Sequence, residues 1–203
     1  MRVLVACEFS GAVRDAFIRR GHDAISCDLL PSRSAYTGHA HIQGDVLDVL
    51  RRPRKYGKWD LMIAHPPCTY LCNSGVRWLY VKGTTARVVQ RWADMEAGAA
   101  FFRALYDAKV PRVAVENPVM HRYAKEHVGV EFTQSIQPWQ FGHGETKRTC
   151  LWLKNLPPLR PTNIVDGRKP VVHFTSPGPD RGLLRSITCQ GIADAMADQW
   201  GSL

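Results

Sequence analysis

Apolar residues in this chain fall into short blocks that switch between two periods. Arg2–Ala6, Ala24–Asp28, Asp60–Ala64, Val110–Val115 and Thr149–Leu153 are brief apolar runs bounded by turn residues, and each predicts a buried strand. A weaker strand is expected over Glu131–Gln137. Between them the period lengthens to that of a helix. Val13, Ala16 and Phe17 line one side of a helix over Ala12–Arg20, with Ser10 available to cap it and Gly21 to end it. Val88, Trp92, Met95, Ala99, Phe102 and Tyr106 recur in steps of four and three, which predicts a long helix over Thr85–Ala108 with one core face. Val46–Leu50 reads as a short helical piece, and Ile187–Trp200 as a last helix. Residues 31–43, with His39 and His41, read as loop. Strands alternating with helices predict an α/β fold: a single Rossmann-like domain over residues 1–203, its mostly parallel sheet flanked by helices. Residues 154–180 hold six prolines and no core periodicity, so they predict an extended surface segment. There is no internal repeat.

Composition narrows the picture. A length of 203 residues with 45% hydrophobic content suits one globular domain, and no apolar run is long enough to span a bilayer. No signal-peptide pattern precedes the first strand, so the expected location is cytoplasmic. Six cysteines scattered mostly through apolar segments predict reduced thiols rather than a disulfide framework. The formal net charge of +9 favours an anionic partner such as nucleic acid or a nucleotide. The basic run Arg51-Arg52-Pro53-Arg54-Lys55 is a solvated surface that can also touch phosphates.

Candidate chemistry lies where strands end. Pro66-Pro67 stops one strand and sends the chain out of the sheet in a stiff, extended direction, with Cys68 the first reactive side chain beyond. The carboxyl ends of strands in an open sheet are where α/β proteins place ligands. Glu116 follows another buried strand and points to the same edge. The opening strand, the Cys7–Gly11 turn, the helix and a second strand ending in Asp28 form a nucleotide-type βαβ unit. In such a unit the helix amino end faces ligand charge and the acid accepts ribose hydroxyls. One glycine serves plain scaffolding equally well. His65-x2-Cys68-x3-Cys72 also has a metal-like look, but no second ligand pair at zinc-like spacing follows, and no metal is expected.

In this order and spacing, the pieces resemble the DNA cytosine-5 methyltransferase family, as a small, phage-like member. Phe9-Ser10-Gly11 resembles its first S-adenosylmethionine motif, Pro66-Pro67-Cys68 its catalytic Pro-Cys motif, and Glu116-Asn117 its Glu-Asn motif. Phe141-Gly142 through Lys147-Arg148 and the following strand resemble its basic motif. The resemblance implies S-adenosylmethionine as cofactor, held by Phe9, Ser10, Gly11, Asp28, Leu29, Asp45, Val46 and Pro66. It implies Cys68 as the nucleophile on cytosine C6, Glu116 as the partly protonated group at N3, and Arg148 as the group orienting the base. Pro67, Asn73, Asn117 and Lys147 would contact substrate. This chain departs from the family in having fewer glycines in the first turn, Cys150 where a second arginine is expected, and Pro118 for a valine. The proline-rich 154–180 segment stands in place of a large target-recognition insert. The implied substrate is therefore DNA, duplex or single-stranded, or a free cytosine nucleotide, with room for a protein partner that supplies recognition. The rival readings are a pyrimidine-modifying enzyme acting on free nucleotide and a non-catalytic nucleic-acid-binding protein of the same fold.

Overall fold

The computed structural model describes residues 1–35, 40–174, 176, 178 and 180–203; His39, Pro177 and Pro179 lie outside them. Among the described residues, β1 (Arg2–Ala6), β2 (Asp23–Asp28), β3 (His41–Gln43), β4 (Leu61–Ala64), β5 (Arg112–Pro118), β6 (Gln134–Ile136) and β7 (Thr149–Lys154) form one sheet. Its order is β3-β2-β1-β4-β5-β7-β6. The first five strands run parallel, and β7 is antiparallel to both its neighbours.

The near-continuous apolar runs are explained by layers on both faces. Leu4, Ala6, Met62, Ala64, Val113 and Val115 point into one core, against α2 (Val46–Arg51), α4 (Val89–Tyr106) and α5 (Arg122–Val128). Their alternates Val3, Val5, Leu61, Ile63 and Ala114 point into the other, against α1 (Ala12–Arg19) and α7 (Gln190–Trp200). The short α3 (Pro53–Tyr56) adds Tyr56 to the edge of the first core, while α6 (Arg181–Ser186) buries no residue.

Trp92, Met95, Ala99 and Phe102 of α4 are buried as their spacing predicts, and Leu105 rather than Tyr106 completes the stripe. That helix starts at Val89, because the residues before it fold back through a Tyr80–Arg87 bridge. Three elements carry no usual sequence signal. β3 is three residues of largely polar sequence at the sheet edge. α5 is capped by a histidine: His121 Nδ1 accepts the Ala124 N–H at 3.1 Å. α6 lies between the proline-rich 154–180 segment and the helix expected from Ile187, where the sequence predicts no element. β5 runs on through Pro118, because β7 pairs with it that far, so Glu116 and Asn117 lie inside the strand. The proline-rich segment is anchored at Leu159, which is buried and hydrogen-bonded to the Gln134 side chain through both backbone groups. No helix among the described residues is long and apolar enough to cross a membrane.

Candidate active site

From β1 the sheet grows in both directions, β2 to one side and β4 to the other, which opens a crevice beyond the carboxyl ends of β1 and β4. Cys68 stands in the loop leaving β4. The N–H groups of Leu71 and Cys72 both donate to the Cys68 carbonyl at 3.0 Å, so residues 68–72 form one helical turn. That turn sets the side chains of Cys68 and Cys72 on one side, where the two thiols share a hydrogen bond. The proton stays on Cys68. Its bond to Cys72, burial, and the negative charges of Cys72 and Glu116 all hold the Cys68 thiol well above its usual range. Cys72 is the opposite case. The Cys68 bond favours its thiolate, as do the Ser74 hydroxyl at 3.0 Å and the Ser74 and Gly75 amides, and together they outweigh burial and bring it to about 5.

Glu116 faces this pair from β5, the neighbouring strand. Its side chain is 17% exposed, and its Oε2 lies 3.2 Å from His65 Nδ1. Burial alone pushes the carboxyl up, but the His65 bond and charge, with the charge of Lys147, bring it below the ordinary glutamate range. The expectation that burial keeps Glu116 partly protonated is therefore corrected: at neutral pH it is a carboxylate. A second tie joins the two strand exits, Asn117 Nδ2 donating to the Pro66 carbonyl at 3.0 Å. Asn117 is buried and its amide is spent on that clamp, with Oδ1 unpartnered among the described residues, so the implied substrate contact is replaced by a structural one. Pro67 and Asn73 are exposed beside it.

Lys147 and Arg148 differ in what they face. Arg148 is exposed and its Nε donates to Ser135 Oγ on β6 at 3.0 Å, whereas Lys147 is the cation acting on Glu116. Both residues belong to the loop that leads into β7, Lys147 half-buried and Arg148 turned out to β6. Lys147, Thr149, Thr188, Cys189, Ile192 and Met196 line a small cavity against Glu116. Beside it a groove of about 270 Å³ runs along Glu145, Lys147, Leu184, Arg185 and Ile187.

The other side of the crevice holds the β1, β2 and β3 ends. Gly11 takes φ +78°, and Ser10 and Glu8 share the capping of the helix behind it, Ser10 Oγ accepting the Ala12 N–H at 3.3 Å. The Glu8 carboxylate accepts the Val13 and Arg14 N–H groups at 2.7 and 3.2 Å. The amino end of α1 is thus satisfied from within and does not wait for ligand charge, contrary to the βαβ expectation. Asp28 and Asp45 each accept one local backbone N–H, from Leu30 at 2.9 Å and from Leu47 at 2.8 Å. Burial, with the charges of Asp28, Cys27 and Asp45, pushes the half-buried Cys7 thiol well above its usual range. Leu29 is 73% exposed next to Asp28, while Phe9 and Val46 are buried and support the turn from behind.

No family model matches the chain, and no curated protein matches it. Solved structures do. A prophage-encoded E. coli protein assigned as a DNA modification methyltransferase aligns with a TM-score of 0.50 at 15% identity, over 87% of this chain and 55% of that one. The Entamoeba histolytica methyltransferase EhMeth aligns with a TM-score of 0.53 at 13% identity, over 88% of this chain and 60% of that one. The fold is that of methyltransferases. The chain spans little more than half the length of these two neighbours.

A methyltransferase fold implies an S-adenosylmethionine-type cofactor, and the crevice suits one. Asp28 and Asp45 each have a second oxygen, that of Asp45 standing 3.9 Å from an Arg51 nitrogen, that can receive a ribose hydroxyl or an amino group; the exposed Leu29 offers an apolar surface, and the Gly11 turn lets backbone come close. Three residues of this crevice escape sequence reasoning. His65 and Cys72 are visible there only as metal-like spacing, yet His65 turns to Glu116 and Cys72 to Cys68 and Ser74. No three His, Cys, Asp or Glu among the described residues gather as metal ligands. Glu8 carries no signal beyond being an acid in an apolar surround.

Proposed function

We propose that this chain transfers a methyl group to C5 of cytosine in DNA, with Cys68 as nucleophile and Glu116 holding the far side of the ring. The observation that carries this reading is that β5 and the loop leaving the adjacent β4, which bear Glu116 and Cys68 far apart in sequence, are tied together by the His65–Glu116 and Asn117–Pro66 bonds, with the Glu116 charge acting on the Cys68 thiol. The fold supports it, and the naming of the prophage neighbour as a DNA modification enzyme favours DNA as the substrate.

Cytosine C5 is a poor nucleophile until C6 carries a donor. The Cys68 sulfur forms a bond to C6, and its proton passes along the existing hydrogen bond to the Cys72 thiolate. The Glu116 carboxylate accepts a hydrogen bond from the exocyclic N4 amino group on the N3 edge of the ring, His65 Nδ1 orients it, and the charge of Lys147 helps keep it ionised. Phe9, Ser10, Gly11, Asp28, Leu29, Asp45, Val46 and Pro66 would form the cofactor side, where S-adenosylmethionine supplies an electrophilic methyl on a sulfonium centre. Loss of the C5 proton to solvent water then breaks the sulfur–carbon bond, and the departing Cys68 sulfur takes its proton back from Cys72. Lys147, rather than Arg148, is the basic group assigned to the base.

Tritiated S-adenosylmethionine offered with duplex DNA, single-stranded DNA and dCMP tests this. Label should enter cytosine with the parent protein and vanish with Cys68→Ser. DNA carrying 5-fluorocytosine should trap the parent covalently, and Glu116→Gln should weaken the trap. Label on adenine, or unchanged labelling by Cys68→Ser, would overturn the mechanism; label confined to dCMP would move the substrate to the free nucleotide.

A further inference from the structure

Between Leu61 and Ala93 the sequence has no acidic residue, but it has Arg77, Lys82, Arg87 and Arg91. The structure folds this stretch into one surface beside the Cys68 turn. A 3-10 turn over Asn73–Trp78 leads into the Tyr80–Arg87 bridge. Tyr80, Trp92 and Tyr123 pack edge to face beneath it, and the Tyr80 hydroxyl donates to that of Tyr123 at 2.9 Å. Over these and neighbouring rings lie four guanidinium groups. Arg77 stands 4.7 Å from the centre of Trp78, Arg87 4.2 Å from Trp92, Arg91 4.3 Å from Tyr70 and Arg122 4.4 Å from Tyr123. Arg91 also donates to the Thr69 carbonyl at 3.3 Å, which ties the patch to the residue after the nucleophile.

None of these four arginines makes a salt bridge among the described residues, whereas Arg51 and Arg52, elsewhere on the surface, both pair with Asp48. An arginine laid flat on a ring keeps its N–H edge outward, pre-organised for a phosphate. Trp78 is 56% exposed with Arg77 against it, so an apolar ring stays open to solvent inside a basic surface. Basic side chains interleaved with open rings match a nucleic-acid strand whose bases are unstacked, because a paired base has no free face for Trp78.

From this geometry we infer that the surface formed by Trp78, Arg77, Arg87, Arg91 and Arg122 grips an unpaired DNA strand next to the target base, without reading its sequence. The inference rests on the proposed action on a polynucleotide and names the form in which it is held. A strand already unpaired spares the protein the cost of extruding a base, which a chain with so little recognition surface is poorly equipped to offset.

Fluorescence anisotropy with an oligothymidylate tests it, since that probe has no cytosine and needs no cofactor. The parent should bind with a steep salt dependence. Arg77→Ala, Arg87→Ala and Arg122→Ala should each flatten the log–log slope by about 0.7. Trp78→Ala should weaken binding roughly 5- to 100-fold at unchanged slope, as expected for one lost stacking partner, with Trp78→Phe restoring most of it. Arg51→Ala should bind like the parent, and a duplex of equal length should bind more weakly than the single strand. Parent-like binding by the arginine and tryptophan variants, or a duplex binding as tightly, overturns the inference. Loss of methyl transfer alone leaves these binding results standing, so the two readings fail separately.

Discussion

The chemistry of this crevice turns on where one proton sits. Cys68 keeps it, while Cys72, with the Ser74 hydroxyl and two amides around its sulfur, is ionised above about pH 5. Thiolate absorbance in the ultraviolet should therefore rise in a step near pH 5, far below the 9.0 of an unperturbed thiol. Cys72→Ala should abolish that step. It should also lower the pH at which Cys68 is alkylated, because two of the influences holding the Cys68 proton come from Cys72. An unshifted Cys68 midpoint in that variant would show that burial and Glu116 suffice to hold the proton. Cys68 and Glu116 were legible in the sequence, since a thiol and an acid at strand exits are hard to explain as packing. Cys72 and His65 were not: their value lies in what they touch, and spacing suggested a metal instead. Lys147 and Arg148 were both legible as candidates from the basic motif, but which of the two acts on Glu116 is decided by the fold of the loop before β7, which the motif alone does not give.

At the level of elements, every strand of the sheet but β3 is legible because apolar runs between turns leave few alternatives, and α4 is legible from its stripe. What escaped was held by tertiary partners: β3 by pairing with β2, and α5 by its histidine cap. The contact between α7 and the 141–147 loop is another such case, and it sets the wall beside Glu116. Gly191 N–H donates to His143 Nε2 at 3.0 Å, and a Cβ at Gly191 would overlap the Phe141 carbonyl oxygen. Backbone cannot yield there as a flexible side chain can. Gly191→Ala should lower the melting temperature by roughly 2–12 °C, the range for an overpacked site in a domain of this size. Gly182→Ala, whose Cβ meets nothing within 4 Å, should leave it unchanged or slightly raised. Equal melting temperatures for the two variants would mean that α7 slides freely over the loop and does not fix the position of Lys147.

Across the whole molecule, the last helix of the sequence is bound to the first. Arg20 pairs with Asp198 and, at 3.1 Å, with Asp194, and Arg19 reaches Asp194 at the same distance. These pairs are largely solvated and contribute little; the packing beneath them matters more. Trp200 is fully buried in the core that also holds Val5, Phe17 and Ile63, and its indole N–H donates to the Pro157 carbonyl at 2.9 Å. One ring thus joins α1, the central strands and the proline-rich segment, so the 154–203 stretch has no core of its own to melt separately. Heating should give one transition in which tryptophan fluorescence, near-ultraviolet and far-ultraviolet dichroism coincide. Trp200→Ala should remove about 3–5 kcal/mol, lowering the melting temperature by roughly 6–20 °C while the transition stays single. A variant in which 154–203 melts first, leaving the β1–β5 half folded, would instead divide the chain into two units, and Glu116 would then sit against a wall that can detach from it.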